Sequence, residues 1–221
     1  RVYMDELFRQ MVSIGINSTG IVVIISVFMG AVTTVQTAYQ LVTGLVSKTI
    51  IGAIVSDSSI LELGPTITSL VLAGKVGSSI SSEIGTMRVT EQIDALEIMG
   101  VNAAGYLISP KILAAIITIP MLIILAISLS IGGGIFVGDV TGILSAQQFI
   151  EGARSSFLPF NVFFSLTKAF TFAFIIASVS AYQGYYTEGG SLEVGQASTR
   201  AVVFSCILIL LSDYLLAQLL L

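Results

Sequence analysis

The feature that most constrains this chain is an uncharged, largely apolar stretch between Arg9 and Lys48. It is far longer than the ~20 residues with which one helix crosses the hydrocarbon core of a bilayer. A strand of a membrane β-barrel would need only about 10 residues of alternating polarity, a pattern that this stretch lacks. The stretch therefore predicts a helical membrane span, which we place at residues 18–41.

The composition extends this conclusion to the whole chain. Of its 221 residues, 55% are hydrophobic and 10% charged, and the mean hydropathy is +0.99, whereas soluble domains carry about 25% charged residues. The predicted fold class is therefore an all-α integral membrane protein. No basic footprint for nucleic acid is present. The single cysteine, Cys206, and the lack of histidine argue against a disulfide framework, a transition-metal site and His-dependent catalysis. We expect no cofactor.

Further apolar segments and helix breakers predict the remaining elements. Residues 1–16 mix apolar and charged side chains and predict a helix in the membrane interface, with a cytoplasmic tail as the alternative. The sequence begins with Arg1 rather than Met, so we expect residues before it, and no signal-peptide pattern follows. The five predicted spans cover residues 18–41, 65–82, 110–137, 160–182 and 201–221.

The segments between the spans are predicted from their polarity. Residues 48–62 and the glycine-rich residues 184–200 are expected to be loops, and residues 145–155 a short helix on the outer side. Pro65 suits the first turn of a helix, as does Pro110 after Ser109 as N-cap, and Pro120 should kink the third span. The second span carries two ladders of small residues that predict close helix packing, namely Ala73, Gly77, Ser81, Gly85 and Gly74, Ser78, Ser82.

The most charged stretch, residues 83–102, predicts a short helix at 86–100 that is too polar to cross a bilayer. Val89, Ile93 and Leu96 share one helical face, and Gly100 can end the helix in a left-handed conformation. We expect this helix to lie at one membrane face, where a partner in water can bind it. The alternative is an ordinary interfacial or solvated helix with no partner. If this stretch is cytoplasmic, so is the N-terminus, and the C-terminus is on the outer side. Positive charges then concentrate inside, as the positive-inside rule requires: Arg1, Arg9, Arg88, Lys111 and Arg200 inside, Lys48 and Arg154 outside.

This stretch closely resembles the MlaE (YrbE) family, the permease subunits of bacterial ABC systems that move phospholipids between the inner and outer membranes. The resemblance extends to Glu62–Pro65, to AGKVGSSISSEIGTM and to Tyr106–Ala114, although Ala103 stands where members commonly carry Pro. It implies a coupling helix that docks on a cytoplasmic ATPase, a homodimer in the inner membrane, a periplasmic MCE-domain protein and a small regulatory protein on the ATPase. The residues expected to couple to the ATPase are Glu83, Arg88, Glu91, Asp94 and Glu97.

Three charged residues, Lys75, Lys168 and Asp213, fall inside predicted spans, where charges are usually paired or functional. At ~1.5 Å per residue, Lys168 and Asp213 lie roughly 10–12 Å from the same membrane face. We therefore expect them to form a salt bridge. For Lys75 a buried structural ion pair is one expectation. The other, supported by the family resemblance, is that Lys75 and Glu83 transmit movement of the coupling helix.

A stripe on the first span is the candidate substrate site. Phe28, Val32, Val35 and Tyr39 share one helical face and Gln36 adjoins it, which suits a lipid with apolar chains and a polar head. The stripe aligns with the part of the family's first span that faces the central cavity. Packing against the fifth span, or helix–helix hydrogen bonding by Gln36 and Gln40, is the alternative.

Several functions compete with the phospholipid permease. An ion- or solute-coupled secondary transporter would predict an internal repeat, which is not evident. A membrane enzyme would need a catalytic constellation, and none is visible. GLVSKT at 44–49 and Gly74–Lys75 both lack residues that a phosphate-binding loop requires. We therefore expect ATP hydrolysis on a separate subunit. A structural subunit without a transport path stays open.

Overall fold

The computed structural model describes residues 2–41 and 47–220. Within these ranges the regular structure is helical and no residue forms a β-strand. Five helices are long and apolar enough to cross a membrane. This confirms the prediction of an all-α integral membrane protein with five spans. In chain order we label the helices α1 (Tyr3–Gln40), α2 (Thr49–Val89), α3 (Gln92–Ile98), α4 (Ala103–Val140), α5 (Ala146–Ser156), α6 (Pro159–Tyr185) and α7 (Ser191–Leu220).

α1 joins the predicted interfacial helix to the first span without a break. An α-helix at Val2–Met11 leads through a π-helical turn at Val12–Ile16 into the α-helix Asn17–Gln40. Of the predicted helix 1–16, Arg1 lies outside the described residues. Its position in the interface plane stays a prediction.

α2 corrects the prediction of a polar loop at residues 48–62, because the chain is helical from Thr49 onward. Ile51 and Val55 repeat at helical spacing and are buried, so packing outweighs the polar residues between them. Pro65 does not begin a helix. It lies within a π-helical segment, Ser59–Ile67, which accommodates a residue that cannot donate a backbone hydrogen bond.

The two small-residue ladders of α2 have different environments. Ala73, Gly77, Ser81 and Gly85 are all buried, whereas Gly74 and Ser78 are half-buried and Ser82 is exposed. A Cβ atom on Gly77 would lie 2.9 Å from the Ser180 hydroxyl of α6. The first ladder therefore permits the close helix approach that its spacing predicted.

Two other predicted boundaries were wrong. α4 begins at Ala103, with Asn102 Oδ1 accepting a hydrogen bond from the Gly105 amide at 3.0 Å, so Pro110 lies inside the helix rather than at its start. The predicted loop at 184–200 is confined to a short link between α6 and α7, with Gly189 at φ 113°. By contrast, the short helix predicted at residues 145–155 is confirmed as α5, and Ser145 forms a full capping box with Gln148. Its place on the outer side of the membrane stays a prediction.

The described chain divides into two compact units. One contains the described parts of residues 1–19, 69–121 and 169–221, and the other those of 20–68 and 122–168. In the second unit, Ile51, Val55, Leu144 and Phe149 form a hydrophobic core. In the first unit, α2 packs against α6 and α7, and a Cβ atom on Gly184 would lie 2.7 Å from the Ser81 carbonyl.

We predict that Gly30→Ala destabilises the second unit. A Cβ atom at this position of α1 would lie 1.7 Å from the backbone carbonyl oxygen of Ser130 on α4, so the two helices would have to separate. Overpacking of this kind costs about 1–3 kcal/mol, which an SDS-unfolding titration in mixed micelles can measure. Gly20→Ala is the matched control, since nothing lies within 4 Å of its added Cβ. Equal stability of the two variants would contradict the close α1–α4 approach.

Candidate functional site

The charged stretch expected to act as the coupling helix is not one helix. α2 continues to Val89, Glu91 adopts a left-handed conformation at φ 59°, and α3 begins at Gln92. The predicted single helix at 86–100 was therefore wrong, because the break redirects the chain so that Ile93 becomes fully buried. The stop at Gly100 is confirmed, since this glycine takes φ 77°.

Polar contacts hold α3 in place within its unit. Arg88 Nη1 lies 2.6 Å from Asp94 Oδ1, and the Tyr185 hydroxyl donates a hydrogen bond to Glu97 Oε1 at 2.8 Å. The Arg88 guanidinium lies 5.9 Å from the centre of the Tyr185 ring. Arg88, Asp94 and Glu97 thus belong to one cluster, which fixes the angle between α2 and α3.

Glu83 belongs to a different contact. Its Oε2 atom lies 2.6 Å from Nζ of Lys111 on α4, whose side chain is almost fully buried. From the sequence, Lys111 was expected only to lie on the cytoplasmic face. Its place within a long apolar helix, where a cation needs a partner, was the signal for this ion pair. The pair ties the end of α2 to α4.

The exposed apolar tip of α3 was missed in the sequence analysis. Ile98 is 87% exposed and Met99 68% exposed, directly before Gly100. Both lie off the predicted helical face of Val89, Ile93 and Leu96. This offset is the feature of the sequence that could have predicted their exposure. Large side chains this exposed at the end of a short charged helix indicate a surface that contacts another protein or the membrane.

Lys168 is fully buried and has an acidic partner that the sequence analysis did not identify. Its Nζ atom donates to Glu62 Oε2 at 2.7 Å and to the Leu61 carbonyl at 3.1 Å, and it lies 4.7 Å from the centre of the Phe164 ring. Glu62 was assigned to a polar loop, and the helical path of α2 brings it to α6. The predicted salt bridge of Lys168 with Asp213, which belongs to the other unit, stays a prediction.

Lys75 does not form the ion pair that its place in a span suggested. Its ammonium group donates to the backbone carbonyl of Asn17 on α1. No carboxylate of the described residues lies within 4.0 Å of it. Lys75 contacts Asn17 and Glu83 contacts Lys111, so the two residues are not joined by a direct contact. Their joint role in transmitting movement stays a prediction.

The stripe on α1 is exposed along its length. Phe28 is 67% exposed, Val32 50% and Tyr39 81%, and Val35 and Gln36 are also exposed. The opposite face of the same helix is buried and consists of small or polar residues after Val22, namely Ser26, Gly30, Thr34 and Thr37. The structure therefore presents the candidate substrate residues on one free apolar face.

These features define an integral membrane protein with five candidate spans, a charged connection between the second and third, and paired charges inside its helices. The chain belongs to the MlaE permease family, whose model matches residues 7–219. It is 39% identical over 218 residues to a probable ABC transporter permease protein of Rickettsia bellii, covering 99% of this chain and 84% of that protein.

More distant relatives show the same coverage of this chain. A probable ABC transporter permease protein of Synechocystis is 34% identical over 99% of this chain and 83% of its own length. The chloroplastic protein TRIGALACTOSYLDIACYLGLYCEROL 1 of Arabidopsis thaliana is 30% identical over 99% of this chain and 62% of its own length. The chain is thus a multi-pass permease of the ABC transporter class, which implies an ATPase partner.

We predict that Glu62→Gln lowers the free energy of unfolding by about 1.5 kcal/mol, because the buried Lys168 ammonium group loses a charged hydrogen-bond acceptor that is itself half exposed. An SDS-unfolding titration provides the measurement. The double variant Glu62→Met with Lys168→Met should lose less stability than Glu62→Gln, since its buried ammonium group is removed. Glu188→Gln, which changes an exposed carboxylate, is the control and should have no effect. A Glu62→Gln variant as stable as that control would mean that another group neutralises Lys168.

Proposed function

We propose that this chain is the permease subunit of an ABC transporter that moves phospholipids between the inner and outer membranes and so maintains outer-membrane asymmetry. The observation that carries the proposal is the exposed apolar stripe of α1. Phe28, Val32 and Val35 offer a surface for acyl chains, and Gln36 and Tyr39 add hydrogen-bonding groups toward one end. A lipid needs this combination of a long apolar contact and a few polar groups.

Two observations support a lipid as the substrate. The Arabidopsis relative carries the name of a glycerolipid, trigalactosyldiacylglycerol. The stripe also offers no charged side chain between Phe28 and Tyr39, which suits acyl chains better than an ion or a small polar solute. The charged headgroup would then lie beyond the Tyr39 end.

A second copy of the chain completes the path in this proposal. The exposed face of α1 runs along one side of a single helix and cannot enclose a lipid alone. A two-fold symmetric dimer would place two such faces opposite each other. The two stripes would then form the walls of a shared cavity.

The exposed tip of α3 is the proposed ATPase contact. Ile98 and Met99 would insert into an apolar groove of the ATPase, and the Arg88–Asp94 and Tyr185–Glu97 contacts would hold α3 rigid enough to transmit a movement. The Glu83–Lys111 ion pair would pass that movement to α2 and α4. Glu91, at the break between α2 and α3, would set their angle. ATP hydrolysis itself takes place on the partner.

The remaining elements of the proposal follow the family. The chain lies in the inner membrane with α3 and the N-terminus in the cytoplasm and the C-terminus in the periplasm, the topology that satisfies the positive-inside rule. A periplasmic MCE-domain protein would receive or deliver the lipid, and a small regulatory protein would bind the ATPase. The Glu62–Lys168 contact and Asp213 would hold the helices together, a structural role.

We predict that Val32→Trp blocks lipid movement while leaving assembly intact, since an indole on the exposed stripe would fill the path without disturbing the buried face of α1. The measurement is ATP-dependent transfer of a fluorescent phospholipid by the reconstituted complex. Val162→Trp, at an exposed valine of α6, is the matched control. Normal transfer by the Val32→Trp complex would remove the stripe from the pathway.

We further predict that Ile98→Asp abolishes co-purification of the ATPase, because a carboxylate cannot enter the apolar groove that covers this side chain. Leu158→Asp is the control, because Leu158 is also an exposed apolar residue but would lie on the periplasmic side. The readout is the amount of ATPase that co-purifies with the tagged permease in mild detergent. Retention of the ATPase by the Ile98→Asp permease would place the docking surface elsewhere.

A further inference from the structure

A second polar feature lies apart from the α1 stripe. The N-terminal part of α1 and the second half of α2, both in the first unit, enclose a cavity of about 270 Å³. Its lining is rich in hydrogen-bonding groups, which include Gln10, Ser13, Ser18, Lys75, Ser79 and Glu83. This polarity contrasts with the apolar stripe and indicates a different ligand chemistry.

The predicted ends of two spans indicate where the cavity lies along the membrane normal. Asn17, which also lines it, directly precedes the predicted first span at 18–41. Glu83 directly follows the predicted second span at 65–82. With these predicted spans the cavity would lie at one membrane–water interface, where lipid headgroups are located.

Two lining groups have hydrogen-bonding capacity that the protein leaves unused. Ser18 is fully buried, and no partner for its hydroxyl lies among the described residues, whereas the neighbouring Thr19 hydroxyl donates to the Gly15 carbonyl. Lys75 has three N–H donors, and the Asn17 carbonyl is the acceptor that the described residues provide. An acceptor-rich ligand would satisfy both groups.

We infer that this cavity binds the phosphoethanolamine headgroup of a phospholipid. The phosphate oxygens accept hydrogen bonds from Lys75 and Ser18. The ammonium group donates to Glu83, whose Oε2 atom is bound by Lys111, which leaves Oε1 available. A cavity of about 270 Å³ is smaller than the ~300–1,000 Å³ of pockets that enclose whole drug-sized ligands. It therefore holds the headgroup while the acyl chains lie outside in the bilayer.

The site is separate from the stripe that carries the proposed function. It requires only that α1 and α2 cross the membrane, so it stands even if Val32→Trp leaves transport unchanged. Conversely, transport along the stripe does not require a lipid at Lys75. The two hypotheses can therefore fail independently.

The test is native mass spectrometry of the full chain in mild detergent after equilibration with phosphatidylethanolamine. Ser18→Ala is the principal variant, because it removes a hydroxyl that has no protein partner and should leave the melting temperature unchanged. We expect it to reduce lipid retention about fivefold, and Lys75→Gln to reduce it at least about tenfold. Ser205→Ala is the matched control, since Ser205 is equally buried and unpartnered but does not line this cavity.

Three outcomes would overturn the inference. Unchanged retention in both Ser18→Ala and Lys75→Gln would show that no headgroup lies there. Displacement of the lipid by excess inorganic phosphate would identify a free-phosphate site instead. Equal retention of phosphatidylglycerol and phosphatidylethanolamine would remove Glu83 as the ammonium acceptor. Selective loss of phosphatidylethanolamine in the two variants, with Ser205→Ala like the wild type, would support it.

Discussion

The hydrocarbon core of a bilayer contains no water, so the polar groups of each span must find hydrogen-bond partners within the protein. Hydroxyls in the long helices do this locally, as Thr34 donates to the Gly30 carbonyl and Thr118 to the Ala114 carbonyl. Charged groups need partners from other helices, and the fully buried Lys168 depends on Glu62 for one. This requirement links distant parts of the sequence, because the Glu62 that α6 needs is supplied by α2.

The same constraint distinguishes the residues at helix–helix contacts from the residues on exposed surfaces. Charges and small residues lie where helices meet, as at Gly30, Gly77 and the Lys111–Glu83 pair. Large apolar side chains remain free on the α1 stripe and at the tip of α3. In the proposed function the stripe meets lipid and the tip meets the ATPase. The Arg88–Asp94 and Glu83–Lys111 ion pairs lie between that tip and helices α2 and α4.

The sequence was informative where the signal is local. The number of spans followed from apolar length, α5 from its cap at Ser145, and the end of the charged stretch from Gly100. It was misleading where packing overrides local signals, since α2 runs helically through Pro65 by means of a π-helical segment. The partner of Lys168 depends on a contact between residues more than 100 positions apart, which depth estimates within single spans could not identify. The break at Glu91 accompanies the burial of Ile93. The pattern of charged residues in this stretch does not predict that break.

We propose that this chain moves phospholipid at the expense of ATP hydrolysed by a partner. The most direct measurement is phospholipid transfer by the complex purified with its neighbouring gene products and reconstituted in proteoliposomes, with and without ATP. We expect that an ATPase co-purifies with the chain and that transfer requires both ATP and the chain. Transfer that is independent of ATP, or uptake of a small solute driven by an ion gradient with no lipid movement, would contradict it.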